Sequence, residues 1–257
     1  MYLKSVLHMG SLILHFRNGA TLVQEMRAAQ ASEAIVLWDG TRITHPAQRA
    51  GLLEAVQEIW LERIYTGSFY RPADGDVIID AGANIGLFAI YVARRNSRCR
   101  VIALEPCAEN FQYLQTNVAQ ACPKNVTCYE VALGAGFGQG QMQAVGARSL
   151  DHVLHCDANV TGGVPVIPLS GLFDLARAEE IDFLKVDIEG SEHGVFAAAS
   201  PELLSRFKRI AMEYHDQIVP GTLELLRSVL HSGHEITVRP SQLEGCGILL
   251  ARRRDLI

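Results

Sequence analysis

From Asp76 onward, short apolar runs alternate with amphipathic ones, and this alternation constrains the fold more than any other feature of the chain. "DVIIDAGANIG" is an apolar strand entering a glycine loop, and "LFAIYVARR" continues it as a helix. "RVIALEP" and "AENFQYLQTNVAQ" repeat the pair, and "NVTCYEVAL" reads as a third strand. Later, the strands "IDFLKVDIEG" and "FKRIAMEYH" lie among the helical segments "GLFDLARAEE", "SEHGVFAAAS" and "PGTLELLRSVLHSG". Parallel strands need long crossovers, and helical crossovers cover the sheet, so this order predicts a mostly parallel sheet with helices on both faces. The closing pair "HEITVRP" and "CGILLAR" predicts an antiparallel addition, and the glycine-rich stretch 134–163 a hairpin or loop.

The first 45 residues read differently. Asn18-Gly19 and Asp39-Gly40 each separate two apolar, β-rich runs, as tight hairpin turns do. From Pro46 to Tyr65, Leu52, Val56, Ile59, Trp60 and Ile64 recur at helical spacing. Residues 1–66 are therefore expected to cap the core with hairpins and a helix, and residues 67–257 to form the main domain.

Of the 257 residues, 49% are hydrophobic and 20% charged, enough apolar surface for one large domain. A net charge of -5 gives no electrostatic footprint for nucleic acid, and no apolar run is long enough to span a membrane. The six cysteines form no C-x-x-C pair, which reads as free thiols in a reducing cytoplasm. His152, His155 and Cys156 lie close together, but no second ligand pair follows at zinc spacing. The oligomeric state is left open, a homo-oligomer included.

Ligands of open α/β sheets bind beyond the carboxyl ends of the strands. The first such end is Asp80-Ala-Gly82-Ala83-Asn84-Ile-Gly86, where glycines admit a close ligand and the loop feeds a helix N-terminus. The second is Glu105, placed to accept both hydroxyls of a ribose. Asn84 stands where a dinucleotide loop needs its second glycine, which counts against NAD and an oxidoreductase. Acid, loop and acid in this form suit S-adenosylmethionine (SAM), with adenine expected against the third strand's tip at Val131, Ala132 and Leu133.

With "EIWLERIY", "DVIIDAGANIGLFAIYVA", "VIALEPCAENFQYLQTNV", "IDFLKVDIEGSEHGVF" and "IAMEYH" in hand, the chain resembles the FkbM-type SAM-dependent methyltransferases over roughly residues 55 to 250. "LKVDIEGSE" is the most specific of these pieces. The resemblance implies a Rossmann-like class I methyltransferase fold, an α/β seven-stranded sheet in which the "DVIIDAG", "LKVDIEG" and "IAMEYH" strands are neighbours. It also implies methyl transfer to oxygen, on a hydroxyl of a small molecule, sugar or polyketide-type product. Alternatives are a NAD-dependent oxidoreductase, an inactive SAM-fold binding module, and a nucleic-acid N-methyltransferase. The last is disfavoured because the chain has no N-P-P-Y or D-P-P-Y tetrapeptide.

That strand order brings Asp187 and Glu189 beside Glu213 and His215, whose spacing of two puts them on one face. His215 is the first candidate for the base, because histidine titrates near neutral pH. Asp187 is the second candidate or orients the histidine, and Lys185 holds the carboxylates. Glu189 and Glu192 fall at a helix start, where negative charge is favoured. Asp187, Glu189, Glu213 and His215 also offer ligands suited to Mg²⁺ or Mn²⁺. A salt-bridge network of the same residues is the simpler reading and puts a metal-free mechanism first.

Overall fold

The computed structural model describes residues 10–28, 33–46, 52–122, 124–144, 152–156, 163–241 and 243–257. Along the chain come α1 (Gly19–Arg27), β1 (Ala34–Val36), β2 (Arg42–Thr44), α2 (Leu52–Val56), β3 (Val77–Ala81), α3 (Leu87–Arg95), β4 (Arg100–Leu104), α4 (Ala108–Ala121) and β5 (Val126–Tyr129). Then follow β6 (Ala132–Leu133), β7 (Gly138–Ala144), β8 (His152–Cys156), β9 (Val164–Ile167), α5 (Gly171–Ala176), β10 (Phe183–Val186), α6 (Glu192–Ala197), α7 (Pro201–Leu204), β11 (Arg209–His215), α8 (Thr222–Leu230), β12 (His234–Pro240) and β13 (Cys246–Arg253).

Seven strands form the main sheet in the order β12-β13-β11-β10-β3-β4-β5. From β5 to β11 neighbours are parallel, and β13 runs antiparallel between β11 and β12. Side-chain alternation splits the apolar residues between the two faces. Ile78, Ala103 and Phe183 face a core shared with α3 and α4; Ile79, Leu104, Leu184 and Met212 face one shared with α5, α6 and α8. Both faces are covered, so β3 and β10 are buried at every position.

Two sequence expectations change here. Asn18-Gly19 makes no hairpin turn: residues 10–15 are helical and α1 begins at Gly19. Leu12, Phe16 and Leu22 are all buried in one cluster, and a Cβ on Gly19 would collide with the Leu12 carbonyl. The glycine is there for close approach, and not for a left-handed turn. The Asn18 amide donates to the Ala34 carbonyl (3.1 Å) and its oxygen accepts from Val36 N–H (2.8 Å), so it borders the β1 strand. "NVTCYEVAL" also divides: β5 ends at Tyr129, and Ala132-Leu133 cross to a second, four-stranded sheet of order β6-β9-β7-β8. The Asp39-Gly40 hairpin forms as expected, with Gly40 at φ 89° between β1 and β2. The glycine-rich stretch contributes the antiparallel pair β7–β8.

Asn117 of α4 ties the N-terminal hairpin to the main sheet. Its side chain is fully buried and donates to the Thr44 carbonyl (3.0 Å) and to the Ile85 carbonyl of the glycine loop (2.9 Å). Its oxygen accepts from Thr44 N–H at 2.8 Å. Asn117→Ala leaves these buried groups unpaired, at roughly 1–3 kcal/mol each. Urea unfolding should show a loss of about 2–4 kcal/mol; a loss under ~1 kcal/mol would mean the hairpin is held by packing alone.

Candidate active site

The chain runs from β3 outward to β4 and β5 on one side, and to β10 and β11 on the other. The crevice at that reversal is where ligands of such sheets bind. The loop after β3 is forced into shape by its neighbour. Gly82 has φ 75°, and a Cβ there would overlap the Asp187 carbonyl, so only glycine lets the loop lie against the end of β10. Asn84, at φ 51°, offers its side-chain oxygen to Ile85 N–H at 2.7 Å. Glu105, 5% exposed, accepts from Asn84 N–H (2.7 Å) and Cys107 N–H (2.9 Å). Burial pushes its carboxyl up to about 7, against those two hydrogen bonds.

Gly82, Asn84, Glu105, Val131, Ala132 and Asp187 line one cleft, as a cofactor set should. Three other residues of that expected set lie elsewhere. Ala83 faces a neighbouring cavity. Gly86 sits where α3 begins, packed against Leu114. Asp80 is fully buried beneath the loop and does not line the cleft.

Asp80 serves the loop from below. It is the register partner of Lys185 across β3 and β10, and Lys185 Nζ lies 3.3 Å from its carboxylate. The ammonium also donates to the Gly82 carbonyl at 2.8 Å and lies 3.6 Å from Asp187. Burial drives the Lys185 pKa down, but Asp80 and Asp187 outweigh it and the net shift is upward. Burial raises Asp80, with Lys185 opposing.

The second cavity, of about 420 Å³, lies between the 52–62 helix and the strand ends. α2 passes there into a π-helical turn, Gln57–Glu62, a form often found at functional sites. Glu58 and Tyr65 line the cavity with Lys185, Asp187, Glu189 and Glu213. The Tyr65 hydroxyl lies between two carboxylates, 3.3 Å from Asp187 and 3.4 Å from Glu213. Burial and Asp187 lift Glu213 to about 8, and burial with Asp187, Glu62 and Glu54 lifts Glu58 to about 7.

His215 is 5% exposed, and its Nδ1–H donates to Glu192 at 3.0 Å. Its Nε2 lies 3.5 Å from Glu189. Burial pulls the imidazole down, but Glu192, Asp187 and Glu189 push it up to about 10. This upward shift favours the imidazolium near neutral pH and counts against His215 as the base. The helix-start reading holds for Glu192, the first residue of α6, and changes for Glu189. Ser191 is the N-cap of α6, and Glu189 sits in a left-handed turn at φ 51°. Glu192 accepts from Ile188 N–H (3.3 Å), but its carboxylate is fully buried and turned to His215. Asp187, Glu213 and His215 each place a ligand atom within 4.8 Å of the others, as a metal group would. Tyr65 and Glu58 gave no sign beyond their place in "EIWLERIY".

Residues 80–235 match the family model described as the methyltransferase FkbM domain, and the chain belongs to that family. A stretch of 232 residues is 26% identical to the AMB antimetabolite synthetase AmbE of Pseudomonas aeruginosa, covering 73% of this chain but only 11% of that protein's length. The 31-O-demethyl-FK506 methyltransferase FkbM of Streptomyces tacrolimicus is 25% identical over 244 residues, 82% of this chain and 91% of that one. Among solved structures, the human methyltransferase 10 domain containing protein aligns at TM-score 0.47 and 15% identity, covering 83% of this chain and 88% of that one. No helix among the described residues is long and apolar enough to cross a membrane.

Breaking one side of a buried ion pair costs about 3–5 kcal/mol, because it strands the other charge. Lys185→Ala should lose that much stability in denaturant unfolding. The double variant Asp80→Leu/Lys185→Met should recover most of it, since an apolar pair leaves no stranded charge. A double variant no more stable than Lys185→Ala would show that the loop contact at Gly82, and not the ion pair, carries the effect.

Proposed function

We propose that this chain transfers a methyl group from SAM to a hydroxyl of a small molecule, sugar or polyketide-type product. The observation that carries the reading is that the two cavities share a wall. Gly82, Asn84, Asp187 and Glu189 line both. A nucleoside with its ribose on Glu105 and its adenine against Val131, Ala132 and Met142 would direct its sulfonium toward that wall. The acceptor would enter from the cavity on the other side.

The transfer is an in-line displacement. The acceptor O–H breaks, an O–CH₃ bond forms, and the S–CH₃ electron pair stays on sulfur. Holding oxygen and methyl at attack distance supplies roughly 7–11 kcal/mol of the barrier. A base adds about 10²–10⁴-fold. Asp187 fits the role best: it stands on the shared wall, held by Lys185 and Tyr65. His215, as an imidazolium clamped by Glu192, offsets the surrounding carboxylates. Cys99, Cys107, Cys122, Cys128 and Cys246 form no disulfide, which suits a reducing cytoplasm.

Each charge-assisted hydrogen bond contributes about 1.5–3 kcal/mol, so Glu105→Ala should weaken SAM binding at least ~10-fold in calorimetry. Unchanged affinity would place the ribose elsewhere. The pH dependence follows from the raised Glu105 pKa of about 7. Below it the neutral acid loses an acceptor for the ribose hydroxyls, and above it the carboxylate regains it. SAM affinity should therefore strengthen as pH rises from about 6 to about 8 and then level off, and Glu105→Gln should flatten the profile. Asp187→Asn should lower kcat by about 10²–10⁴-fold with a much smaller change in SAM affinity; turnover equal to the parent would remove Asp187 as the base.

A further inference from the structure

We infer that the cavity holds a divalent cation, Mg²⁺ or Mn²⁺, on Asp187, Glu213 and His215, where it would bind the oxygen of the methyl acceptor. The inference rests on the methyltransferase reading above and adds a cofactor to it.

Asp187, Glu189, Glu213 and Glu58 line one cavity, and Lys185 is the one lysine or arginine in its described lining. Lys185 lies 3.3 Å from Asp80 and 3.6 Å from Asp187, and His215 lies 3.0 Å from Glu192 and 3.5 Å from Glu189. Crowded carboxylates relieve their repulsion by taking up protons or by sharing a cation.

The histidine is an independent observation. It is buried, its Nδ1 side is fixed by a fully buried carboxylate, and its Nε2 makes no hydrogen bond among the described residues, only the 3.5 Å approach to Glu189. Metal-binding histidines are held in this way, with the far ring nitrogen donating to a carboxylate that orients the ring. The Glu192 oxygen that does not face His215 also has no hydrogen-bond partner, so the carboxylate is buried chiefly to serve the ring. Two carboxylates and one imidazole with ligand atoms within 4.8 Å leave coordination positions for water and for an acceptor oxygen.

A cation there would act as a Lewis acid on the acceptor. The bound hydroxyl would release its proton to solvent, and the oxygen lone pair would take the methyl carbon as the S–C bond breaks toward sulfur. His215 would give up its Nε2 proton to bind the ion with Asp187 and Glu213, and the ion would take over the activation of the hydroxyl that the metal-free mechanism assigns to Asp187.

The test uses the full chain, stripped with chelator and titrated with Mn²⁺ while electron paramagnetic resonance counts the free ion. One Mn²⁺ per chain is expected, with ¹⁴N modulation from a single imidazole that disappears in His215→Ala. Glu213→Gln and Glu192→Gln should each weaken binding about 10–100-fold. SAM affinity, measured on the same samples, verifies that each variant is folded and tests the methyltransferase reading separately. Absence of Mn²⁺ binding in a chain that binds SAM would overturn the metal site and leave that reading standing. Binding that shows no ¹⁴N coupling, or that both glutamine variants retain at parental strength, would also overturn it.

Discussion

The Asp80–Lys185 pair is the contact on which the rest of the site depends. It lies in register between β3 and β10, the two strands flanking the crevice, and both side chains are almost fully buried. Neither charge is cheap to bury alone, so each fixes the other. The Lys185 ammonium then has donors left over. One goes to the Gly82 carbonyl, which holds the glycine loop, and its field reaches Asp187 at 3.6 Å. One buried cation thus sets the cleft side and the cavity side of the crevice together. Gly82 completes the arrangement, because any side chain there would push the loop away from Asp187.

Around this pair the protein concentrates negative charge where an acceptor would enter. Tyr65, Glu58 and Glu213 approach from three separate elements, and their raised pKa values reflect burial and mutual repulsion. Local strain accompanies them: Asn84 and Glu189 both adopt left-handed backbone conformations unusual for residues other than glycine. Such strain tends to persist where surrounding structure enforces it, often at functional sites. Here the enforcing contacts are those of the glycine loop and of the turn between β10 and α6.

The sheet and most residues of the Glu105 cleft were legible in the sequence because their determinants are local. Buried parallel strands read as apolar runs, and the turns after them need glycine or asparagine. The order of β3, β10 and β11 came from the resemblance carried by "LKVDIEGSE" and "IAMEYH", and the structure has it. What stayed hidden depends on distance. Tyr65 meets Asp187 across 122 positions of sequence, and Glu192 meets His215 across 23, on different elements. The Asn18-Gly19 segment misled because its apolar residues are compatible with either period, and burial of Leu12, Phe16 and Leu22 in one cluster, with Phe16 against Trp60, goes with the helix. Asp80, read as a ligand, is buried beside Lys185 one residue before the cleft begins.

The central claim is that cofactor and acceptor meet at the wall formed by Gly82 and Asp187. A crystal structure with S-adenosylhomocysteine tests it most directly. The account predicts ribose hydroxyls on Glu105, adenine against Val131 and Ala132, and the sulfur opening toward Asp187 and the acidic cavity. A nucleoside bound away from Glu105, or a sulfur turned from Asp187 with the cavity closed off from it, would contradict the account.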